Sequence, residues 1–487
     1  MTRSFSALRL LAPLAAIALT AGCCAVGPDY QRPDLKLTAA YMGAPVASPT
    51  APAPIESWWT GFGDPELVRV VERAGAQNLD VQQAAARILQ ARAVARGAGA
   101  ALLPHVDANG QAASVRQSLL SPIGQIGSHL PGFPRDLDDY QVGAAASWEI
   151  DLFGGLRRER DAALADAGAA QADGAAVRVS VAADAADAYL QVRAYQARIA
   201  VARGQETTEQ DLVALLNRRI GEGVSPEREL HEAQAELDGV RAAIPPLTAG
   251  LERQLNRLDV LMGAQPGTFR AELETPAPIP QAPGLSIAEG PADLLRRRPD
   301  VVAAEKRLVA ANAGIGAVIA DYYPKISVSG LLGVDSVDAA RLFTPLAGAS
   351  QIGAGLRWRL FDFGRVDAEV AQARGRKAQA LAAWRASVLK ASEDVEDALS
   401  DLGQQQARAN ALARQIAELT TARNQSQQAF DGGVISLVEV RDADRDLLTA
   451  SDQLVQARAG AARAAVAAYR ALGGGWSAAG TETVAAR

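Results

Sequence analysis

Between Gln141 and Gly155 the chain reads QVGAAASWEIDLFGG, and its side chains fall into two interleaved series. Val142, Ala144, Ala146, Trp148, Ile150 and Leu152 are apolar throughout, whereas Gln141, Gly143, Ala145, Ser147, Glu149 and Asp151 are small or polar. A period of two marks an extended strand, whose successive side chains point to opposite faces. A near-copy, QIGAGLRWRLFDFGR, begins at Gln351. Each of these strands has a partner upstream. Pro104 ends a helical pattern and opens HVDANGQAAS, and KISVSGLLGV places Ile326, Val328, Leu332 and Val334 on one face. The pattern predicts β-hairpins over 104–153 and 324–363, joined by Gly- and Pro-bearing loops.

The periodicity changes after each hairpin. No proline occurs from Arg157 to Arg219 or from Arg365 to Phe430, and both stretches are rich in alanine. As single helices each would be about 100 Å long at 1.5 Å per residue, about three bilayer cores. Gly223-Val224 and Gly433-Val434 then mark turns, followed by returning helices. Asp64-Pro65 supplies an N-cap with proline at the first helical position.

These elements form one unit written twice. LDVQQAAARILQARA from Leu79 returns as PDVVAAEKRLVAANA from Pro299, and Pro104 and Gly110 return 220 positions later as Pro324 and Gly330. Beyond the next loop the offset becomes 210, pairing Gln141, Trp148, Phe153 and Gly223 with Gln351, Trp358, Phe363 and Gly433. A single change of register inside a loop is what duplication leaves behind. The expected division is a signal over 1–22, an extended N-terminal segment over 23–60, and a first repeat over 61–265 with long helices at 156–260. A proline-rich connector follows over 266–290, then a second repeat over 291–474 with long helices at 365–472, and a tail over 475–487.

Four two-faced strands, each near the ten residues that cross a bilayer at a tilt, suggest a transmembrane β-barrel. In lipid no sheet edge can stay unpaired, and four strands are too few to close, so other copies of the chain must complete the ring. Two copies give eight strands and three give twelve; periodicity does not choose. The competing reading is a soluble sheet whose apolar face packs on helices. Trp148 and Trp358 suit an interfacial girdle or, equally, packing on their neighbours.

Composition narrows the picture. Aromatic residues are only 5% of the 487, which favours close-packed helices over a core of large side chains. The formal charge of −6 includes Arg3 and Arg9, in a segment expected to be removed, so the mature chain is more acidic still and nucleic acid is not an expected partner. The opening MTRSFSALRLLAPLAAIALTAGCC reads as a secretory signal ending at a lipid-modified cysteine, with small residues before Cys23. Cys23 and Cys24 are the only cysteines and are adjacent, so no disulfide framework exists.

The residues resemble the outer-membrane efflux proteins, the exit ducts of tripartite pumps, in their lipoprotein branch. The resemblance rests on VGPDYQRP, WWTGFGDPEL, LLRRRPDVVAAEKRLVAANAGIGAVIADYYPKISVSG and FDFGRVDAEVAQAR, and extends from Val26 to about Gly474. It implies a mixed, mainly α fold: a long α-helical barrel continued by a transmembrane β-barrel, with four strands per chain and twelve in a homotrimer. The implied partners are a periplasmic adaptor, an inner-membrane RND-type pump and outer-membrane lipid. Family spacing to Val-Gly-Pro fits Cys24 as the lipidated residue, whereas Gly22 before the thiol favours Cys23. The family closes its periplasmic end just after the glycine turns, which implies Gly223 and Gly433 at the helical tip. Some members carry aspartate two positions after the turn glycine; here Ile435 and Ser436 follow, implying an apolar constriction, with Glu229 and Asp442 as further aperture candidates or as solvated acids.

Enzyme chemistry is not expected. His105, His129 and His231 lack metal-ligand spacing, and no nucleophile elbow, phosphate loop or zinc motif occurs, so no catalytic residue, cofactor or metal is expected. Arg296-Arg297-Arg298 before Pro299-Asp300 reads as the flank of a helix start rather than a phosphate site. The expected function is a passive outer-membrane exit duct for small molecules, extending into the periplasm. The alternatives are a type I secretion channel for polypeptides and a lipid-anchored coiled-coil scaffold without a pore.

Overall fold

The computed structural model describes residues 25–35, 37–38, 40–43, 54–285, 292 and 297–476. The signal, Cys23, Cys24, Arg296 and most of the tail lie outside the described residues. After a short 3-10 segment at Ile55–Phe62 the elements are α1 (Pro65–Gln77), α2 (Leu79–Ala100), β1 (His105–Arg116), α3 (Pro122–Gly127), β2 (Asp136–Ile150), α4 (Gly155–Gly221) and α5 (Glu227–Leu261). A single turn, α6 (Arg270–Leu273), precedes the second set: α7 (Pro299–Ile319), β3 (Lys325–Ser336), β4 (Gly348–Arg357), α8 (Arg365–Asp431) and α9 (Leu437–Ala471).

The duplication is literal. α4 and α8 each contain 67 residues, α5 and α9 each contain 35, and both pairs start and stop at the same 210-residue offset. β1 and β3 match at the 220 offset, so the register change falls between the strands of a hairpin. α5 continues through Pro245 and Pro246, which have no counterpart in α9.

Contacts divide the chain into two compact units. One comprises Met1–Pro33, Leu89–Gly168 and Glu305–Ala382; it contains the sheet and the helix ends that flank it. Its four strands run antiparallel in the order β1-β2-β3-β4, with the first long helix hairpin falling in sequence between β2 and β3 and the second following β4. Residues 25–32 lie along this unit as a strap. Val26 N–H donates to the Phe153 carbonyl at 3.0 Å, Arg158 reaches Asp29 at 2.8 Å, and Asn312 Nδ2 donates to the Pro28 carbonyl at 2.9 Å. Tyr30 and Arg32 both donate to Glu305; burial first, then that carboxylate, pushes the Tyr30 phenol up to about 12. Gly27 faces Gly316 so closely that a Cβ on Gly27 would sit 2.4 Å from the Gly316 Cα. The VGPDYQRP motif is therefore a docking strap.

The second unit comprises Asp34–Ile88, Ala169–Ala304 and Ala383–Arg487. Its core is largely alanine: Ala457, Ala461, Ala462, Ala465 and Ala468 of α9 are buried, as are Ala182, Ala185, Ala186 and Ala188 of α4. Small side chains let helix axes approach closely, which explains the low aromatic content. The aromatic exceptions are anchors. Trp58 is buried and stacks on Tyr469 at 5.6 Å between centroids, and Asp64 caps α1 while accepting the Tyr189 hydroxyl. These are the WWTGFGDPEL residues. The Arg297-Arg298-Pro299-Asp300 run is likewise a clasp: Arg298 binds Asp300 at 2.6 Å, Asp394 of α8 at 2.9 Å and the last carbonyl of α9, on Ala471, at 3.3 Å. Trp476 donates to the Arg297 carbonyl at 3.0 Å, so the first residues of the tail are packed.

Candidate functional site

The ladder register sorts the strand side chains into two populations. One face carries Val106 and Ala108 of β1, Val142, Ala144, Ala146 and Trp148 of β2, Val328, Leu332 and Val334 of β3, and Ile352 and Leu356 of β4. The other carries His105, Asp107, Asn109, Gln111, Asp139, Gln141, Ser147, Ser327, Ser329, Asp335 and Gln351. Same-face pairs confirm the alternation: His105 lies 3.4 Å from Asp107, and Gln141 donates to Asp139 at 3.2 Å. Leu331, Val115 and Leu137 are apolar exceptions on the polar face, and at the rim end Ser114, Arg116, Asp136 and Asp138 are polar exceptions on the apolar face.

Among the described residues the apolar face covers no helix. Ile352 is 88% exposed and Leu332 71%, so this face does not pack on helices of its own chain. An open depression of about 280 Å³ lies against the sheet, lined mainly by residues of the opposite face, Asn109, Gln141, Leu331, Asp335 and Gln351 among them, and also by Val142 and Val334. β1 and β4 each have one ladder partner, leaving one open backbone edge apiece. An apolar outer surface bounded by two unpaired edges cannot stand alone in lipid.

At the strand ends nearest the helices, the two tryptophans do the same job. Trp148 Nε1 donates to the Leu102 carbonyl at 2.9 Å and Trp358 Nε1 to the Tyr322 carbonyl at 3.0 Å, while Phe153 stacks on Tyr323 at 4.5 Å. Asp362 accepts the backbone N–H groups of Gly364 and Val366, and these bonds hold its carboxyl below the usual carboxylate range.

In the helical unit both long hairpins turn on the same device. Gly223 (φ 76°) and Gly433 (φ 72°) end α4 and α8 in the left-handed region. Val224 N–H reaches back to the Arg219 carbonyl and Gly223 N–H to that of Ile220, both at 2.9 Å; Val434 and Gly433 repeat the pair on Ala429 and Phe430. This is a Schellman closure, in which glycine avoids the Cβ clash of that backbone. The two turns lie side by side, with the Arg219 guanidinium 5.6 Å from the Phe430 ring centroid.

Of the aperture residues expected from sequence, Ile435 is half-buried beside its turn; its neighbour Val434, outside that set, is exposed. At the start of α9, Ser436 N–H and Oγ both donate to Glu439 Oε1 at 3.3 Å, bonds that the equivalent Pro226 cannot make. Glu229 is half-buried in the first turn of α5, and Asp442 is exposed and paired with Arg445 at 3.4 Å. Sequence reasoning missed the polar layer behind the tip. Glu209 of α4 is buried, with Oε1 accepting from Gln205 at 2.8 Å and Oε2 unpartnered among the described residues. Burial raises its pKa, Arg441 opposes this, and Glu236 and Asp444 add to it. Arg423 pairs with Asp444 at 2.7 Å and Arg441 with Glu232 at 3.8 Å. A charged residue in an alanine-rich helix reads as solvated, so no sequence signal separated Glu209 from its exposed neighbours.

Among the described residues no group of three or more His, Cys, Asp or Glu is placed to hold a metal, and no helix is long and apolar enough to cross a membrane.

Comparison with known proteins agrees with this geometry. The family described as "Outer membrane efflux protein" matches residues 70–264 and 290–474, one segment per repeat. The pyoverdine export outer membrane protein OpmQ of Pseudomonas putida is 32% identical over 439 residues, covering 89% of this chain and 91% of that protein. Outer membrane protein OprJ of Pseudomonas aeruginosa is 30% identical over 475 residues, covering 94% and 95%. Among solved structures, the outer-membrane channel OprN superposes with a TM-score of 0.83 at 33% identity, covering 93% of this chain and all of that one. The Campylobacter jejuni CmeC outer membrane channel, at 21% identity, shares the fold with a TM-score of 0.85 over 95% and 98% of the two chains.

Proposed function

This chain belongs to the outer membrane efflux protein family, an outer-membrane channel component of efflux systems, and from that membership we propose a trimeric, lipid-anchored exit duct for small molecules. Three copies give twelve strands, which seals each open β1 edge against a neighbour's β4 and satisfies every backbone group in lipid. The observation that carries the reading is the register: one exposed apolar face and one polar face on the same four strands. A pore-free scaffold leaves that segregation without a purpose.

Lipidation at Cys23, with Cys24 as the alternative, suits the strap. Val26 is tied to Phe153, three residues beyond the end of β2, so an acyl chain just upstream emerges where the strands leave the bilayer. Relatives named for pyoverdine export, toluene efflux and solvent efflux support small-molecule cargo. A periplasmic adaptor joins the duct to an inner-membrane pump of the RND type, which supplies the energy; the duct conducts passively. The helical tips form the resting constriction, with Ile435 and Ser436 nearest the opening and Glu229 and Asp442 setting its charge.

Purified protein in a planar bilayer is expected to give channels that are closed most of the time. Failure to recover any β-barrel from detergent, or a strictly monomeric native mass, would sink the reading. Ile435→Asp is expected to change the resting conductance with little effect on assembly.

A further inference from the structure

We propose that the two loops on the far rim of the sheet form a clasp between copies: the loop after β1 of one copy packs its apolar side chains on the loop before β4 of the next. This rests on the trimeric barrel proposed above.

Both loops are built rather than loose. In the first, over 117–135, Gln117 N–H donates to the Arg135 carbonyl at 2.7 Å and Gln117 Nε2 to Ser121 Oγ at 2.6 Å. Ser121 caps α3, and Gly124 and Gly127 are buried against Ser118 and Phe133. In the second, over 337–347, Asp338 Oδ1 accepts from Ala340 N–H at 2.9 Å, and Leu342 is buried. A loop that is merely solvated presents polar side chains outward. These expose large apolar side chains beside their polar ones. Leu120 is 86% exposed, and Ile123 and Ile126, three apart on one face of α3, are also exposed. Phe343 is 79% exposed and Leu346 98%.

Strand polarity names the occupant. β1 runs toward this rim and β4 runs away from it, with β2 and β3 between them. When β4 of one copy pairs with β1 of the next, the chain enters that β4 from the second loop and leaves that β1 into the first. Two strands one ladder spacing apart, about 4.8 Å, thus deliver both loops to the same place on the rim. Within a single chain the same loops leave β2 and β3 side by side, yet Leu120, Phe343 and Leu346 remain uncovered. Their free sides face the neighbour. The clasp is continuous with the strand seam, and it adds apolar burial where strand pairing ends.

The test is a Leu120→Cys/Leu346→Cys double variant of the full chain in outer-membrane vesicles under mild oxidation. Denatured samples are expected to show a reducible ladder of two and three linked chains, absent from either single variant. No ladder while the native mass remains trimeric, or a disulfide confined to one chain, overturns the clasp and leaves the barrel standing. A monomeric native mass overturns the barrel beneath it. Where the cysteines impair assembly, Leu120→Asp and Leu346→Asp serve instead. Each is expected to lower the dissociation temperature of the detergent-solubilised trimer by several degrees, and an unchanged temperature counts against the clasp.

Discussion

The Trp148 indole N–H donates to the Leu102 carbonyl at 2.9 Å, and its repeat-mate Trp358 makes the same bond to Tyr322. Each bond joins the end of one strand to the turn that opens the preceding one, locking the hairpin at its base. Replacing either tryptophan with phenylalanine keeps most of the ring and removes the donor. Each change is expected to cost about 1 kcal/mol, seen as a lower denaturation midpoint of the detergent-solubilised protein. The double variant is expected to cost about the sum, because the two bonds share no residue.

Arg298 holds three elements at once. Arg298→Ala removes the guanidinium from Asp300 and Asp394, the latter keeping Lys390 at 3.2 Å, and is expected to destabilise the helical unit by about 1–3 kcal/mol, with Arg298→Lys falling between because it lacks the planar fork. Burial pushes the Asp300 carboxyl up, but the hydrogen bond and charge of Arg298 outweigh this and hold it below the usual range. A lowered carboxylate stabilises above its unfolded pKa, and that stabilisation is lost as pH falls through the lowered value. The wild type is therefore expected to lose stability in acid below the ordinary aspartate range, with less loss in Arg298→Ala, measured by thermal melts across pH.

Glu209 has the opposite sign. Its pKa is raised, so the folded state holds a proton more readily than the unfolded chain, and stability falls as pH rises from the ordinary glutamate range through the raised value. Glu209→Gln retains the shape and removes the charge. It is expected to raise the melting temperature at neutral pH and to flatten that part of the pH profile; a lower melting temperature at neutral pH would contradict the assignment.

Gly223 and Gly433 are held at positive φ in open space, so alanine there meets backbone strain and no neighbour. Gly223→Ala and Gly433→Ala are each expected to cost about 1 kcal/mol. The expected signature is local: faster amide exchange in the last turns of α4 and α8, with the strands unaffected.

The strap depends on the close approach of Gly27 and Gly316. A valine at either position has no room, and Gly316→Val also crowds the Arg158 side chain. Limited chymotrypsin digestion is expected to cut after Tyr30, in the strap, faster in either variant than in the wild type, while the long helices resist as before.

The sequence by itself determined the duplicated order of elements, the two-faced strands and the glycine turns. Each is a local property: a period of two or 3.6, a proline that ends a helix, a glycine that accepts positive φ. A copied landmark at a fixed offset makes such local signals mutually reinforcing, which is why Trp148 and Trp358 were legible as a pair. Tertiary structure decided what the motifs are for. Arg298 looked like a helix flank until Asp394 and the end of α9 closed around it, and VGPDYQRP became a strap only against Glu305 and Gly316. Glu209 was indistinguishable from a solvated acid because the charged groups that act on it, Arg441, Glu236 and Asp444, stand on α5 and α9, elements that no window around residue 209 contains. Burial and pairing belong to contacts between distant segments, and the chain states those only once it has folded.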